Sequence, residues 1–255
     1  TMGNATSLYD DNDWTKANGG LTKAFETVDG AEPTTKHTVV TITPRLALPG
    51  RQLPIVGNLI TAREYEIRDD KGDILYTTKI AAKLRQGFDL VDKSDKLLVR
   101  VDATFNNRSW QIYQVGTPVF EGQRPDPSPS EVCGENLFRK ASVVFGKDVE
   151  HEAVVHMFSP TDDTVDTILK VERCDHVAQK WSFQSMLANN IEQTEKQPLV
   201  GYWKWEGSAI KSAIPLCADD KMTMDLAKGS DVGLHVILAV LATLERSSVK
   251  AEYSG

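Results

Sequence analysis

The sequence predicts a mainly β chain of the α+β kind, an antiparallel sheet curled around one C-terminal helix. Three observations lead there. Val236 to Ala242 are seven apolar residues in a row, which on a helix leave no polar stripe for water. From Ala62 to Val115, alternating segments are joined by short Asp-, Gly- and Asn-bearing turns, the pattern of a meander and not of βαβ units. A second series of strand-like segments follows a proline-rich break, so the apolar helix comes last, after its wall.

The helix reads from Asp231 to Arg246, with Ser230 or Asp231 as its N-cap. Apolar all round, it must be enclosed. Val232 to Leu244 gives only thirteen mostly apolar residues, roughly 20 Å of helix, where about 20 residues are needed to span a bilayer. Protein is therefore the expected surround, and no transmembrane span is expected.

Taken in order, residues 1–34 read as an N-terminal arm and residues 35–255 as a single domain, with the helix near 231–247. The arm is Gly-, Thr- and Ala-rich from Thr15 to Pro33, without periodicity. His37 to Thr43 is a β-branched run closed by Pro44. Glu64 to Arg68 alternates, Asp69 to Asp73 turns, and Ile74 to Thr78 resumes, which makes a hairpin. Gly87 to Val91, a turn at Asp92 to Lys96, and Leu97 to Phe105 repeat the plan. In the last of these, Leu97, Val99, Val101, Ala103 and Phe105 share one face. Asn106 to Ser109 turns into Trp110 to Val115. Gly122 to Ser130 holds three prolines and cannot continue a ladder, so it connects two halves. Further strands are expected at Leu137 to Gly146, Glu152 to Phe158, Thr167 to Arg173, Ala178 to Met186, Leu199 to Trp205 and Lys221 to Leu226.

Composition narrows the functional classes. The 255 residues are 40% hydrophobic and 25% charged, ordinary for a soluble protein, and the net charge of -7 disfavours nucleic acid as a partner. Three widely spaced cysteines, Cys133, Cys174 and Cys217, form no disulfide framework and fit a reducing compartment. No apolar run follows a basic start, so no secretory signal is expected and the protein reads as cytoplasmic. Taking Met2 as the start, its removal exposes Gly3 with Ser7 at the Ser/Thr position of the N-myristoylation pattern. A chance match is the alternative, and one acyl chain needs a second membrane signal. Asp10, Asp11 and Asp13 do not supply it.

The meander with its acidic-glycine turns, the proline-rich break, the second strand series and a final Gly-Ser-Asp-Val-Gly before an apolar helix resemble the LURP-one-related family of the tubby C-terminal superfamily. Phospholipid scramblases share that architecture. The resemblance spans roughly Thr35 to Ser248 in layout and rests mainly on the Tyr65 to Tyr113 block and the helix. It implies a closed antiparallel β-barrel of about a dozen strands around a buried hydrophobic helix. The chain lacks a cysteine-rich acylation cluster and an acidic calcium segment beside the helix, so scrambling is not carried over.

The binding candidate is the basic run Lys79 to Arg85. Strand alternation places Lys79, Lys83 and Arg85 in line, as an anionic headgroup requires, and Arg63, Arg100 and Arg108 could add to them from neighbouring strands. The same run also fits a solvated outer face. Trp181, Trp203 and Trp205 could cap a barrel end, meet an interface or pack in the core. His151 and His156 stand five apart, so they miss the i, i+4 geometry of a zinc protease. Cys174-Asp175-His176 has no second ligand pair, and His235 reads as a core histidine. No P-loop, G-x-S-x-G or G-x-G-x-x-G is present, and no metal or cofactor is expected. The first expectation is a non-enzymatic lipid-binding and membrane-tethering module for phosphoinositide or another anionic phospholipid. On that reading the protein lies on the inner leaflet if Gly3 is acylated. The second is a soluble protein-interaction scaffold, in stress or defence signalling as the resemblance implies. The third is an enzyme such as a scramblase or hydrolase.

Overall fold

The computed structural model describes residues 38–46, 63–80, 87–104, 109–116, 136–145, 152–157, 166–173, 182–187, 199–205, 221–226 and 230–252. The β-branched and aromatic runs form strands β1 (Thr38–Leu46), β2 (Arg63–Arg68), β3 (Ile74–Ile80), β4 (Gly87–Asp92), β5 (Leu97–Ala103) and β6 (Ser109–Val115). After the break come β7 (Leu137–Phe145), β8 (Glu152–Met157), β9 (Asp166–Arg173), β10 (Ser182–Leu187), β11 (Leu199–Trp205) and β12 (Met222–Leu226). Helix α1 (Val232–Glu252) is last. Among the described residues the chain is thus mainly β, one antiparallel sheet and one helix.

From β2 to β11 each strand pairs antiparallel with the strand before and after it. β1 pairs with β2, from Thr41↔Arg68 to Leu46↔Arg63, and also with β12, from Thr38↔Leu226 to Ile42↔Met222. Pro44 does not close β1 as its sequence suggests; the strand runs through it to Leu46. The β12 ladder has already ended at Ile42, so among the described residues Pro44 pairs with β2 alone, the edge position where a missing N–H is tolerated.

Cross-strand registers sort the two faces. Phe88, Val101, Ile112 and Ala141 align on one face, as do Leu90 and Val99, and all are buried. They join one core cluster with Leu234 and with Val236 to Ala242 of α1, so the helix lies against this face. Register shifts interrupt five of the described ladders, among them β4–β5 and β6–β7. Leu90 opposes Val99 and Val91 opposes Leu97, which leaves Leu98 as the extra residue and lets it join the core beside Val99. Likewise Lys140 is the extra residue in β7, where Ile112 opposes Ala141 and Tyr113 opposes Arg139.

The β2–β3 and β4–β5 turns are one design used twice. Asp69 N–H donates to the Asp73 carbonyl, and Asp92 N–H to the Lys96 carbonyl, each at 3.0 Å. Asp69 Oδ1 accepts from the amides of Lys71 and Asp73, and Asp92 Oδ1 from those of Ser94 and Lys96. The fourth turn residue is left-handed in both: Gly72 at φ 88° and Asp95 at φ 65°. Glycine accepts that conformation freely, and aspartate is among the side chains that tolerate it. At the start of β4, glycine answers a close approach: a Cβ on Gly87 would lie 2.5 Å from the Val101 carbonyl oxygen.

Asp231 caps α1, its Oδ1 accepting from Leu234 N–H at 2.9 Å. The helix extends past the expected end near 247 to Glu252, because Ser247 to Glu252 contains no glycine or proline to stop it. The expected strand from Ala178 is described only from Ser182, and Phe105, Gly146 and the Gly122 to Ser130 connection lie outside the described residues.

Candidate functional site

Of the residues expected to bind an anionic headgroup, Lys79 and Arg100 are the two whose side chains lie within the described set. Arg63 opens β2 opposite Leu46, with its side chain outside that set. Lys83, Arg85, Arg108 and the acylation candidate Gly3 lie outside it altogether. β3 ends at Ile80, so the alternation drawn from Lys79 through Arg85 is followed in the structure for one residue beyond Lys79.

Lys79 stands on the face of the sheet away from α1, and its cross-strand neighbour is Asp89. Asp89 in turn opposes Arg100, which opposes Tyr113, which opposes Arg139. The row sets an aspartate and a tyrosine between its cations where the sequence suggested a line of cations. Arg100 is the clearest correction. It is only 4% exposed, and its Nε and Nη2 each donate to a different oxygen of Asp89 at 2.7 Å. Desolvation is repaid there by a two-point, charge-assisted bond, so this guanidinium is a structural group and not part of an open patch. Asp102, Tyr113 and Lys140 are buried as well, and β5 is enclosed on both faces.

Two further cations on this side have partners. Arg68 Nε donates to Glu66 Oε1 at 2.6 Å and its Nη1 to the Gly72 carbonyl at 2.6 Å, which locks the guanidinium across the first hairpin turn. Lys79 Nζ lies 2.9 Å from Asp95 Oδ1. This third pair differs in kind: it has one contact, and the two side chains are 32% and 71% exposed. An exposed single-point pair is worth about 0.2 to 1 kcal/mol, whereas breaking a buried pair by removing one partner costs about 3 to 5. Lys79 is thus the most exchangeable of the three cations.

The helix face of the sheet holds a different constellation. Trp203 is fully buried and meets the His235 ring edge-on, with centroids 6.5 Å apart and planes at 80°. Core packing is therefore the role of Trp203; the side chains of Trp181 and Trp205 lie outside the described residues. His235 Nδ1 is 2.7 Å from the Asp231 carbonyl oxygen, an acceptor only, so this nitrogen carries the proton. Burial lowers the imidazole from 6.5 to about 4, against the upward pull of that hydrogen bond. Burial, and then the charge of Asp231, push the Tyr76 phenol above its ordinary range. The helix N-terminus therefore sits among a neutral histidine and a neutral tyrosine.

His156 lies on β8, while His151 and Cys174-Asp175-His176 are outside the described residues. Among the described residues, no three His, Cys, Asp or Glu side chains gather as a metal site would need. No described helix is long and apolar enough to cross a membrane, which leaves strands aside. Asp89 and Asp95 were not singled out from sequence. Counting outward from the Asp92 to Lys96 turn sets Asp89 opposite Val99; the extra residue Leu98 moves it to Arg100, so the spacing alone does not announce that pair. Asp95 reaches Lys79 across a different hairpin, and no local spacing announces that contact. The sequence matches no protein-family model and no curated protein.

Proposed function

We propose that this chain is a non-enzymatic binding module that tethers to membranes bearing anionic phospholipid, using the outer face of its sheet. The observation behind this reading is the single core cluster shared by strands and helix. With α1 packed against the inner face, the outer face and the rims are where a ligand meets the protein. Lys79 is half-buried on that outer face, in a pair weak enough to exchange for a headgroup phosphate. The proposal extends the cation line to Lys83 and Arg85, adds Arg63 and Arg108, and gives Gly3 an acyl chain as the second anchor. It places the protein on the cytoplasmic leaflet. It also takes the sheet as a closed barrel of the LURP-one-related and tubby-like kind. The pairing of β1 with both β2 and β12 supports closure.

Co-sedimentation with phosphatidylcholine vesicles, with and without phosphoinositide, tests the proposal. Salt-sensitive binding that is lost in Lys79→Glu/Lys83→Glu is expected; no binding to either vesicle refutes it. The competing reading is a protein-interaction scaffold, favoured by the carboxylate partners of Arg68, Lys79 and Arg100, which leave this part of the face near neutral.

A further inference from the structure

We infer that Asp95 is a built-in competitor for the membrane: its carboxylate occupies Lys79, and an anionic headgroup must displace it to bind. The inference rests on the membrane-tethering reading and adds the residue that sets its threshold. Of the three outer-face ion pairs described above, this is the one placed to open. Arg100 is held at two points by Asp89, with side chains only 5% and 15% exposed. Arg68 is held by a carboxylate and a backbone carbonyl. Asp95, by contrast, projects from a hairpin turn with most of its side chain in water, and meets Lys79 Nζ through one oxygen.

The turn keeps the competitor in place without depending on it. Asp92 supplies the side-chain acceptor for the turn amides, and Asp95 contributes its left-handed backbone. Asparagine accepts that conformation as readily, so Asp95→Asn removes the charge and leaves the turn standing. Displacing an aspartate by a lipid phosphate exchanges one anion for another at the same ammonium. The cost is the exposed pair alone, which corresponds to roughly a 1.5- to 5-fold change in affinity.

The test is a double-mutant cycle read by vesicle co-sedimentation of the full chain, on phosphatidylcholine vesicles containing phosphatidylserine and phosphoinositide. Asp95→Asn is expected to tighten binding by about 2- to 5-fold when Lys79 is present. It should have little effect in the Lys79→Gln background. Equal tightening in both backgrounds overturns the inference, since Asp95 would then act only through overall charge, and the membrane reading would stand. No change on Asp95→Asn overturns it in the same way. Failure of the wild type and all three variants to sediment removes the membrane reading, and the competitor with it.

Discussion

At the scale of single residues, the cost of burial decides which polar groups the fold can hold and in what form. His235 is kept because its neutral form satisfies Nδ1 on the Asp231 carbonyl, while its proton-bound form would put a charge beside Trp203. The consequence is a dependence on pH. The folded chain protonates His235 near 4 and the unfolded chain near 6.5. Between those values the unfolded state binds the extra proton, so stability is complete above 6.5 and is lost as pH falls through the window. The loss from this one site is roughly 3 kcal/mol. Urea midpoints measured at about pH 7 and about pH 4.5 should therefore fall further in the wild type than in His235→Gln. Equal falls would assign acid sensitivity to the carboxylates. The role of His235 as a core residue was legible from its apolar neighbours. The role of Arg100 was not, because strand alternation gives a side chain's face but says nothing of what else covers that face.

At the scale of elements, α1 and the hairpins were the readable parts. The run Val236 to Ala242 contains no polar position, and all seven residues are buried. Burying Leu234, Val236, Ile237, Leu238, Val240 and Leu241 contributes on the order of 10 kcal/mol as an upper bound. A single charge there is prohibitive: Leu238→Asp is expected to yield no soluble protein with a cooperative melt, and a soluble, cooperatively melting variant would contradict the enclosed helix. β11 could be delimited from sequence at Leu199 to Trp205 because Val200, Tyr202, Trp203 and Trp205 are of the β-branched and aromatic types that favour strands. Pro44 misled because its tolerance depends on which neighbour has already stopped pairing, and that neighbour, β12, lies nearly 180 residues away in sequence. The bulges at Leu98 and Lys140 were equally hidden. One extra residue leaves the composition of a strand unchanged while moving its side chains to new partners.

At the scale of the whole molecule, sheet and helix share one hydrophobic cluster and so have no independent reservoir of stability. They are expected to unfold together. Near-ultraviolet circular dichroism reports Trp203 packed against α1, and the far-ultraviolet signal reports strand and helix content. Coincident thermal transitions at the two wavelengths are the expected result, and a helix signal outlasting the tryptophan signal would mean two separable units. The outer face was only partly legible. Its cations could be picked out by type, but their neutralisation by Glu66, Asp89 and Asp95 depends on contacts made after the strands have found their registers.

The double pairing of β1 also bears on time. Thr38 belongs to the first described strand to leave the ribosome, and its partner Leu226 belongs to the last. Until β12 has emerged, one flank of β1 has no native partner, and the face later covered by α1 is bare. Such long-range pairing makes folding slow relative to local hairpins, because the entropy of a long loop must be overcome before any contact rewards it. The Asp69 and Asp92 hairpins can form in microseconds, while the pairing of β1 with β12 waits until Leu226 has been made. The nascent protein is therefore most prone to aggregate in the interval just before β12 and α1 are made.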